Sequence, residues 1–389
     1  MKRIPTVPRT DWRKDVSVYP YGLNAAAAAE GWDESVYYEF SAEEIDRIES
    51  TANETHEMIQ ETVRRAIEGY LLPLMGFAPE TARRITSAWK ALHAASDSST
   101  GLFGRLDFAY DGHDSLKLVG ACYDGPGGLF AASIVQWNWL EVCFPEADQF
   151  NGLHEGLVER WEKMAVGRRD RWGVHLSTAT PDAVREGELA YLAATAEAAG
   201  LKTTTLAIQD IGWDGAHFVD LENHPIAWLL KLYPWEAMIA EQFGEHLARA
   251  GIPVLDPLGW MPASNHALLA MLWETYPEHP NLCQASLSEI PETSDILRRS
   301  LFGLERPAER LTREGRVVAD TGPVRHAGGH VSLAWPPLFR QNDGGAILNA
   351  WMVGDSCLGM TVRESRTPVG WSDAAIVPHL FKESCPSLD

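Results

Sequence analysis

Apolar positions recur along this chain with two periods, one helical and one extended. Ile45, Ile48, Ala52, Ile59, Val63, Ala66 and Ile67 fall at spacings that keep one face of a helix apolar. Ser41-Ala42-Glu43-Glu44 precedes them in the S-x-x-E form of a capping box, where each side chain satisfies an orphan backbone donor of the other. A helix is therefore predicted from there to about Glu68. His56 lies on the same stripe, and for a lone histidine a satisfied core position outweighs a ligand or base.

Residues 105–111 and 116–123 alternate around the turn Gly112-His113-Asp114 and predict a hairpin. Residues 133–143 and 150–164 read as helices, the second from Leu153, Leu157 and Trp161. A strand over 173–180, a helix over 182–199 and a strand over 203–208 give a β-α-β alternation. Farther on come helices ending near Ala250 and over 265–275, loop and hairpin over 306–329, and strands over 346–353 and 358–364. The class is α/β (α+β).

Composition narrows the function classes. With 45% hydrophobic residues and 15 tryptophans in 389 residues, the chain has ample apolar surface for a large core. Its net charge of -21 and pI near 5.0 disfavour nucleic acid and an anionic bilayer, since no basic block or reading motif offsets the repulsion. An acidic surface also suits a cationic partner such as a polyamine, although solubility is its commoner purpose. No apolar run reaches a membrane span, and the N-terminal MKRIPTVPRTDWRK lacks the apolar core of a signal peptide. Five scattered cysteines without CxxC spacing disfavour a disulfide framework or a zinc site, and a reducing cytoplasm is the expected setting.

Several stretches together resemble the synthetase module of the glutathionylspermidine synthase family. They are RLDFAYDG with LKLVGACYDGPGG, VQWNWLE, DQFNGLHEGLVERW, IQDIGWD, LLKLYPWEAM, SNHALLAMLWETYPEHPNL, TREG and VRES…VPH, in the family's order across nearly the whole chain. The resemblance implies an ATP-grasp fold with a pre-ATP-grasp-like region: one module over 1–389, with a substrate region over 1–255 and an ATP-grasp-like region over 256–389. It further implies Mg-ATP as cofactor, phosphorylation of a small carboxylate, and attack by an amine on the acyl phosphate. That chemistry needs hard cations on oxygen ligands, charges on the phosphates and a donor aimed at the tetrahedral oxyanion.

Matched residue by residue, Arg105 and Asp107 stand where the family has its arginine and first metal-ligand aspartate. Gly120 and Cys122 stand where it has a glutamate and an asparagine that bind metal. Glycine offers no side-chain oxygen and a thiol is a soft ligand for magnesium. Asp124, Asp111 and Glu364 are the carboxylates that could substitute, with Asp124 paired to Asp107 as the metal set. Trp260 and His266 replace lysines, Arg306 replaces another, Thr312-Arg313-Glu314-Gly315 keeps part of the glycine loop, and Arg363 matches the arginine that faces the transition state. Arg306, Arg313 and Gly315 are thus the nucleotide candidates, and Arg105 and Arg363 the oxyanion candidates, against a salt-bridge role with Asp107 or Glu364.

Three functions follow: a ligase-like enzyme joining a small carboxylate to an amine; an ATP-independent enzyme that keeps the arginine pair; or a non-catalytic pseudoenzyme. Cys122 could serve as a nucleophile with His113 or His266 as base, though a buried inert thiol is the plainer reading. His326 and His330 have helical metal spacing, but Gly328 and Gly329 between them predict a loop. Trp137, Trp139, Trp228, Trp235, Trp273 and Trp351 are read as core rather than as a cage for a cation.

Overall fold

The computed structural model describes residues 1–17, 29–94, 101–166, 173–241, 244, 246, 252–291, 295–303, 306–322, 329–339, 345–371 and 374–382. The capping box is present: Ser41 N–H donates to Glu44 at 3.0 Å and Glu44 N–H to Ser41 Oγ at 3.2 Å, opening the helix Ala42–Glu68. Such a cap is worth about 1 kcal/mol. The predicted stripe is buried along its length, and His56 is a satisfied core residue, with Nδ1 2.7 Å from Tyr123 Oη.

That helix packs under a five-stranded antiparallel sheet, in the order Ala375–Val377, Ser356–Ser365, Gly345–Val353, Phe103–Tyr110, Leu116–Cys122. The middle strand is buried throughout, which explains its nearly continuous apolar sequence. Leu348, Ala350 and Met352 join the core shared with the long helix, while Trp351 and Val353 join a second core on the other side. Alternation along Phe103–Tyr110 likewise sends Leu106 and Phe108 toward the helix and Arg105 and Asp107 to the opposite face.

A second antiparallel sheet contains Ala285–Ser286, His330–Ala334, Ile296–Ser300, Glu309–Arg313 and Arg316–Asp320, in that order. The expected β-α-β unit forms as the parallel strands Val174–Thr178 and Thr203–Ala207 around the helix Ala183–Ala198, with Leu229–Leu232 on the free side. Lys2–Pro5, Val36–Ser41 and His379–Lys382 make a small sheet that ties the two ends of the chain together. The central sheet takes strands from both sides of the 255/256 division.

Differences from the sequence reading lie at element starts. Leu153–Ala165 begins three residues late because residues 150–152 pair instead with 358–360, Gly152 N–H donating to Leu358 O at 2.7 Å and Met360 N–H to Phe150 O at 3.1 Å. Leu268–Thr275 also begins late: residues 258–264 form a 3-10 helix around Pro262, and Asn265 is extended. The predicted helix at 133 starts earlier, as a π-helical turn Ala131–Val135 leading into Gln136–Cys143. Its leading N–H groups are taken by Glu188, a distant residue that no local pattern reveals. Of the helix predicted to end near Ala250, the structure describes the short turn Trp235–Met238, while its end and His326 lie outside the described residues and His330 opens a strand. Trp139, Trp228, Trp235 and Trp351 are core as expected, whereas Trp137 is exposed.

Candidate active site

Strand pairing assembles the site. Asp107 lies opposite Gly120 on one side and Asn349 on the other; Arg105 lies opposite Cys122 and Trp351. Arg363, one strand farther, is opposite Ile347. Same-face neighbours on adjacent strands stand about 5 Å apart, so these side chains form one patch. The patch lines a cleft of about 970 Å³, which Arg185 and Glu188 of the helix Ala183–Ala198 border together with Arg299, Arg306 and Glu309.

Arg105 donates from Nε to Asp107 Oδ1 at 2.7 Å and from Nη2 to Oδ2 at 3.2 Å, a fork on a carboxylate. Its remaining Nη1 donates to the Gly127 carbonyl at 3.0 Å. Arg363 reaches the same carbonyl from Nη2 at 3.2 Å. The DGPGG turn that carries Gly127 is held by Arg185, which donates to Gly125 O at 3.0 Å, and by Glu188, which accepts from the N–H groups of Gly128 and Leu129. Gly128 has φ +98°, and a Cβ there would lie 3.2 Å from Arg363 Nη2. Glycine is thus required twice over, by the backbone and by the approach of the guanidinium.

A β-bulge adjoins the site. The register steps from Asp107↔Gly120 to Phe108↔Leu118, leaving Val119 as the extra residue. Its carbonyl accepts from Arg299 Nη1 at 2.6 Å, while Arg299 Nε donates to Glu309 at 2.7 Å. His266 is buried, and its Nδ1 lies 2.8 Å from the Ser300 carbonyl, so that nitrogen carries the proton and Nε2 is the acceptor. Burial, and then the Arg299 charge, push its pKa down to about 3. Burial raises the Asp107 pKa, but the Arg105 ion pair and hydrogen bond, with Arg363 and Arg299 nearby, outweigh it and hold the carboxyl below its usual range.

Of the residues singled out from sequence, Arg105, Asp107, Cys122, Arg306 and Arg363 line this one cleft, together with His266. Asp124 does not: it is buried against Lys231, and its Oδ2 accepts the Trp235 N–H at 2.8 Å. Arg313 forks onto Asp295 at 2.6 and 3.0 Å, and Gly315 sits in the adjoining hairpin turn; neither lines the cleft. Glu364 binds Arg3 and Tyr38, and Asp111 caps its own hairpin turn, so neither stands in for the replaced ligands. His113 is exposed in that turn, at the far end of the hairpin from Cys122. Trp260 packs in the core against Trp89.

Arg185, Glu188, Arg299 and Asn349 were not singled out. Asn349 is 1% exposed in an apolar run, and its Nδ2 donates to Asp107 Oδ1 at 2.6 Å. A polar residue in the middle of an all-buried strand is the one signal that could have flagged it. The other three belong to ordinary amphipathic segments.

The chain is a mixed α+β protein whose central antiparallel sheet carries an arginine-lined cleft on its polar face. The chain belongs to the family described as glutathionylspermidine synthase preATP-grasp, whose model matches residues 3–382. It is 34% identical over 93% of both chains to a protein of Haemophilus influenzae named, provisionally, an acid–amine ligase. It is 22% identical to the trypanothione synthetase of Crithidia fasciculata, over 95% of this chain but 61% of that one. Among solved structures, a glutathione synthetase-like effector from Globodera pallida superposes with a TM-score of 0.54, covering 96% of this chain and 98% of that one at 8% identity, a likeness of fold.

The family's metal can be tested against these residues. Both Asp107 oxygens accept from Arg105, and Oδ1 accepts from Asn349 as well. A Cβ added at Gly120 would already lie 3.1 Å from Asp107 Oδ2, so a ligand side chain there would require Asp107 to shift. A dication on Asp107 would sit within about 5 Å of the Arg105 guanidinium, a repulsion of roughly 7 kcal/mol at an effective dielectric of 20. Among the described residues no group of three His, Cys, Asp or Glu side chains is placed to hold a metal. The buried Asn349 Oδ1, beside Asp107, has no hydrogen-bond partner. The residues present do not fit the family's magnesium set.

Proposed function

We propose that this protein forms an amide bond between the carboxyl carbon of a small acid, such as an amino acid or peptide, and an amine. Family membership and the ligase named among its relatives support amide-bond chemistry. The observation that carries the reading to a site is the convergence of Arg105 and Arg363 on the Gly127 carbonyl. Two donors held on separate strands and aimed at one oxygen are suited to an acyl oxyanion. As the amine nitrogen attacks, the C–N bond forms, negative charge gathers on the acyl oxygen between the guanidiniums, the leaving group departs and the amine loses a proton. That proton passes to solvent in the open cleft, because His266, which lines the same wall, is held neutral with a pKa of about 3 and is too weak a base to take it.

Two readings differ in the source of the activated acyl group. In one, ATP drives the ligation, and Arg306 meets phosphate. In the other, the acid arrives already activated as an acyl phosphate or thioester; among the described residues no hard-oxygen set surrounds Asp107, which favours this one. Incubating the protein with panels of acids and amines, with Mg-ATP or with activated acyl donors, and reading amide products by mass spectrometry tests both. A product lost in Arg363→Ala supports the reading. Binding of acid or amine with no product under any condition would leave a non-catalytic binding protein.

A further inference from the structure

Resting on that reading of the cleft, we infer that its oxyanion site works without a divalent cation, Asp107 acting as a positioning residue for Arg105. The ligand class is a multiply charged phosphoryl or carboxylate oxyanion met by guanidiniums alone. Four observations carry this. Asp107 receives three hydrogen bonds, two from the Arg105 fork and one from Asn349, so its lone pairs are already directed at nitrogen donors. Gly120 and Cys122, which face Asp107 and Arg105 across the ladder, bring no hard oxygen. Arg299, 7% exposed, reaches the same wall through the Val119 carbonyl at the bulge and, after Arg105 and Arg363, adds a third positive charge near Asp107. Arg105, with two of its nitrogens on Asp107, has its third held on the Gly127 carbonyl beside Arg363, so the carboxylate fixes the direction in which the guanidinium points.

The physical consequence is a division of labour. In a metal site the carboxylate would meet the cation and the cation the ligand; here the carboxylate orients an arginine and the arginine meets the ligand. Guanidinium forks match phosphoryl and carboxylate oxygens directly, so a cation is not needed to bridge two anions.

Two measurements on the full chain test this. In calorimetry with inorganic pyrophosphate, the wild type should bind in EDTA, with no tightening when magnesium is supplied. Arg363→Ala should weaken that binding at least tenfold. Asp107→Ala should weaken it by loosening Arg105, and Asp107→Asn, which keeps an acceptor, should recover part of the loss, both in EDTA. Electron paramagnetic resonance with manganese(II) should show no stoichiometric site, with or without pyrophosphate. Pyrophosphate binding that appears only with magnesium, a stoichiometric manganese site lost in Asp107→Asn, or no pyrophosphate binding in either buffer would each overturn the inference. If Asp107→Ala fails to fold, the wild-type comparison of EDTA with magnesium and the manganese titration still decide it. The two proposals fail separately: an amide product formed only with magnesium sinks the metal-free site and leaves amide formation standing. Pyrophosphate binding in EDTA with no product from any donor does the reverse.

Discussion

Arg105 and Arg363 stand on strands separated by a third, yet both donate to the carbonyl oxygen of Gly127, at 3.0 and 3.2 Å. Guanidiniums so close repel, and they stay together because Asp107, 2.7 Å from Arg105, and the backbone carbonyls of Gly127 and Trp371 hold them. An incoming oxyanion therefore meets a charge arrangement already in place and needs little reorganisation to be bound.

Replacing either arginine by alanine should lower kcat/KM for amide formation by about 10²-fold or more, with the far-ultraviolet circular dichroism unchanged. Arg363→Lys should recover only part of this, since an ammonium cannot present the same fork. Steady-state kinetics on the product identified in the donor screen, with a thermal melt beside each variant, provides the check.

Gly128→Ala should be more damaging than its size suggests. The position has φ +98°, and its new methyl would press on Arg363 Nη2. We expect a stability loss of about 1–2 kcal/mol from backbone strain together with reduced activity. Gly200→Ala is the control, with φ +82° but nothing within 4 Å of the added carbon, and should cost stability alone.

Asp124 should report on stability and not on metal. Asp124→Ala leaves the fully buried Lys231 ammonium without its carboxylate, and such a loss costs about 3–5 kcal/mol. Urea unfolding should show it. Pairing the change with Lys231→Met should restore much of the stability, whereas a metal-ligand role would make magnesium dependence the property that changes.

Stability should vary with pH at both ends. Buried His266 and His379 both have pKa values near 3, lowered chiefly by burial. The unfolded chain takes up their protons near pH 6.5 and the folded chain resists, so stability falls as pH drops from about 6.5 toward 3. His266→Gln should flatten part of that fall and leave the share of His379. Asp256 has the opposite sign: burial raises its pKa to about 8. The folded chain keeps a proton the unfolded chain releases near pH 4, so stability declines as pH rises from about 4 to 8. Asp256→Asn should remove this slope in denaturant midpoints measured at pH 5 and pH 8.5.

Local rules account for the parts of the fold that were legible. Ser41 and Glu44 complete each other's hydrogen bonds within one turn, and the stripe from Ile45 to Ile67 needs only the helical repeat to become a face. The hairpin at 105–123 was visible for the same reason, as was the β-α-β unit. Family resemblance named Arg105, Asp107, Cys122, Arg306 and Arg363, and all five line one cleft. Asp124 was considered only as a nearby carboxylate that could substitute, four residues after Gly120, and sequence proximity could not show that it turns to Lys231.

The chain's own order of residues determined which segments become helix or strand, because caps, turns and apolar periods act within a few residues. It also determined that the usual magnesium donors are replaced, since glycine and cysteine bring their chemistry wherever they are placed. Only the tertiary structure decided what surrounds Asp107. Asn349 and Arg363 reach it through the pairing of distant strands, and Arg299 through a bulge whose free carbonyl exists only once the sheet has formed. Glu188 and Arg185 hold the DGPGG turn from another helix for the same reason. Charges so arranged interact through space, and distance in space between strands is set by sheet order, which no local pattern of residues contains.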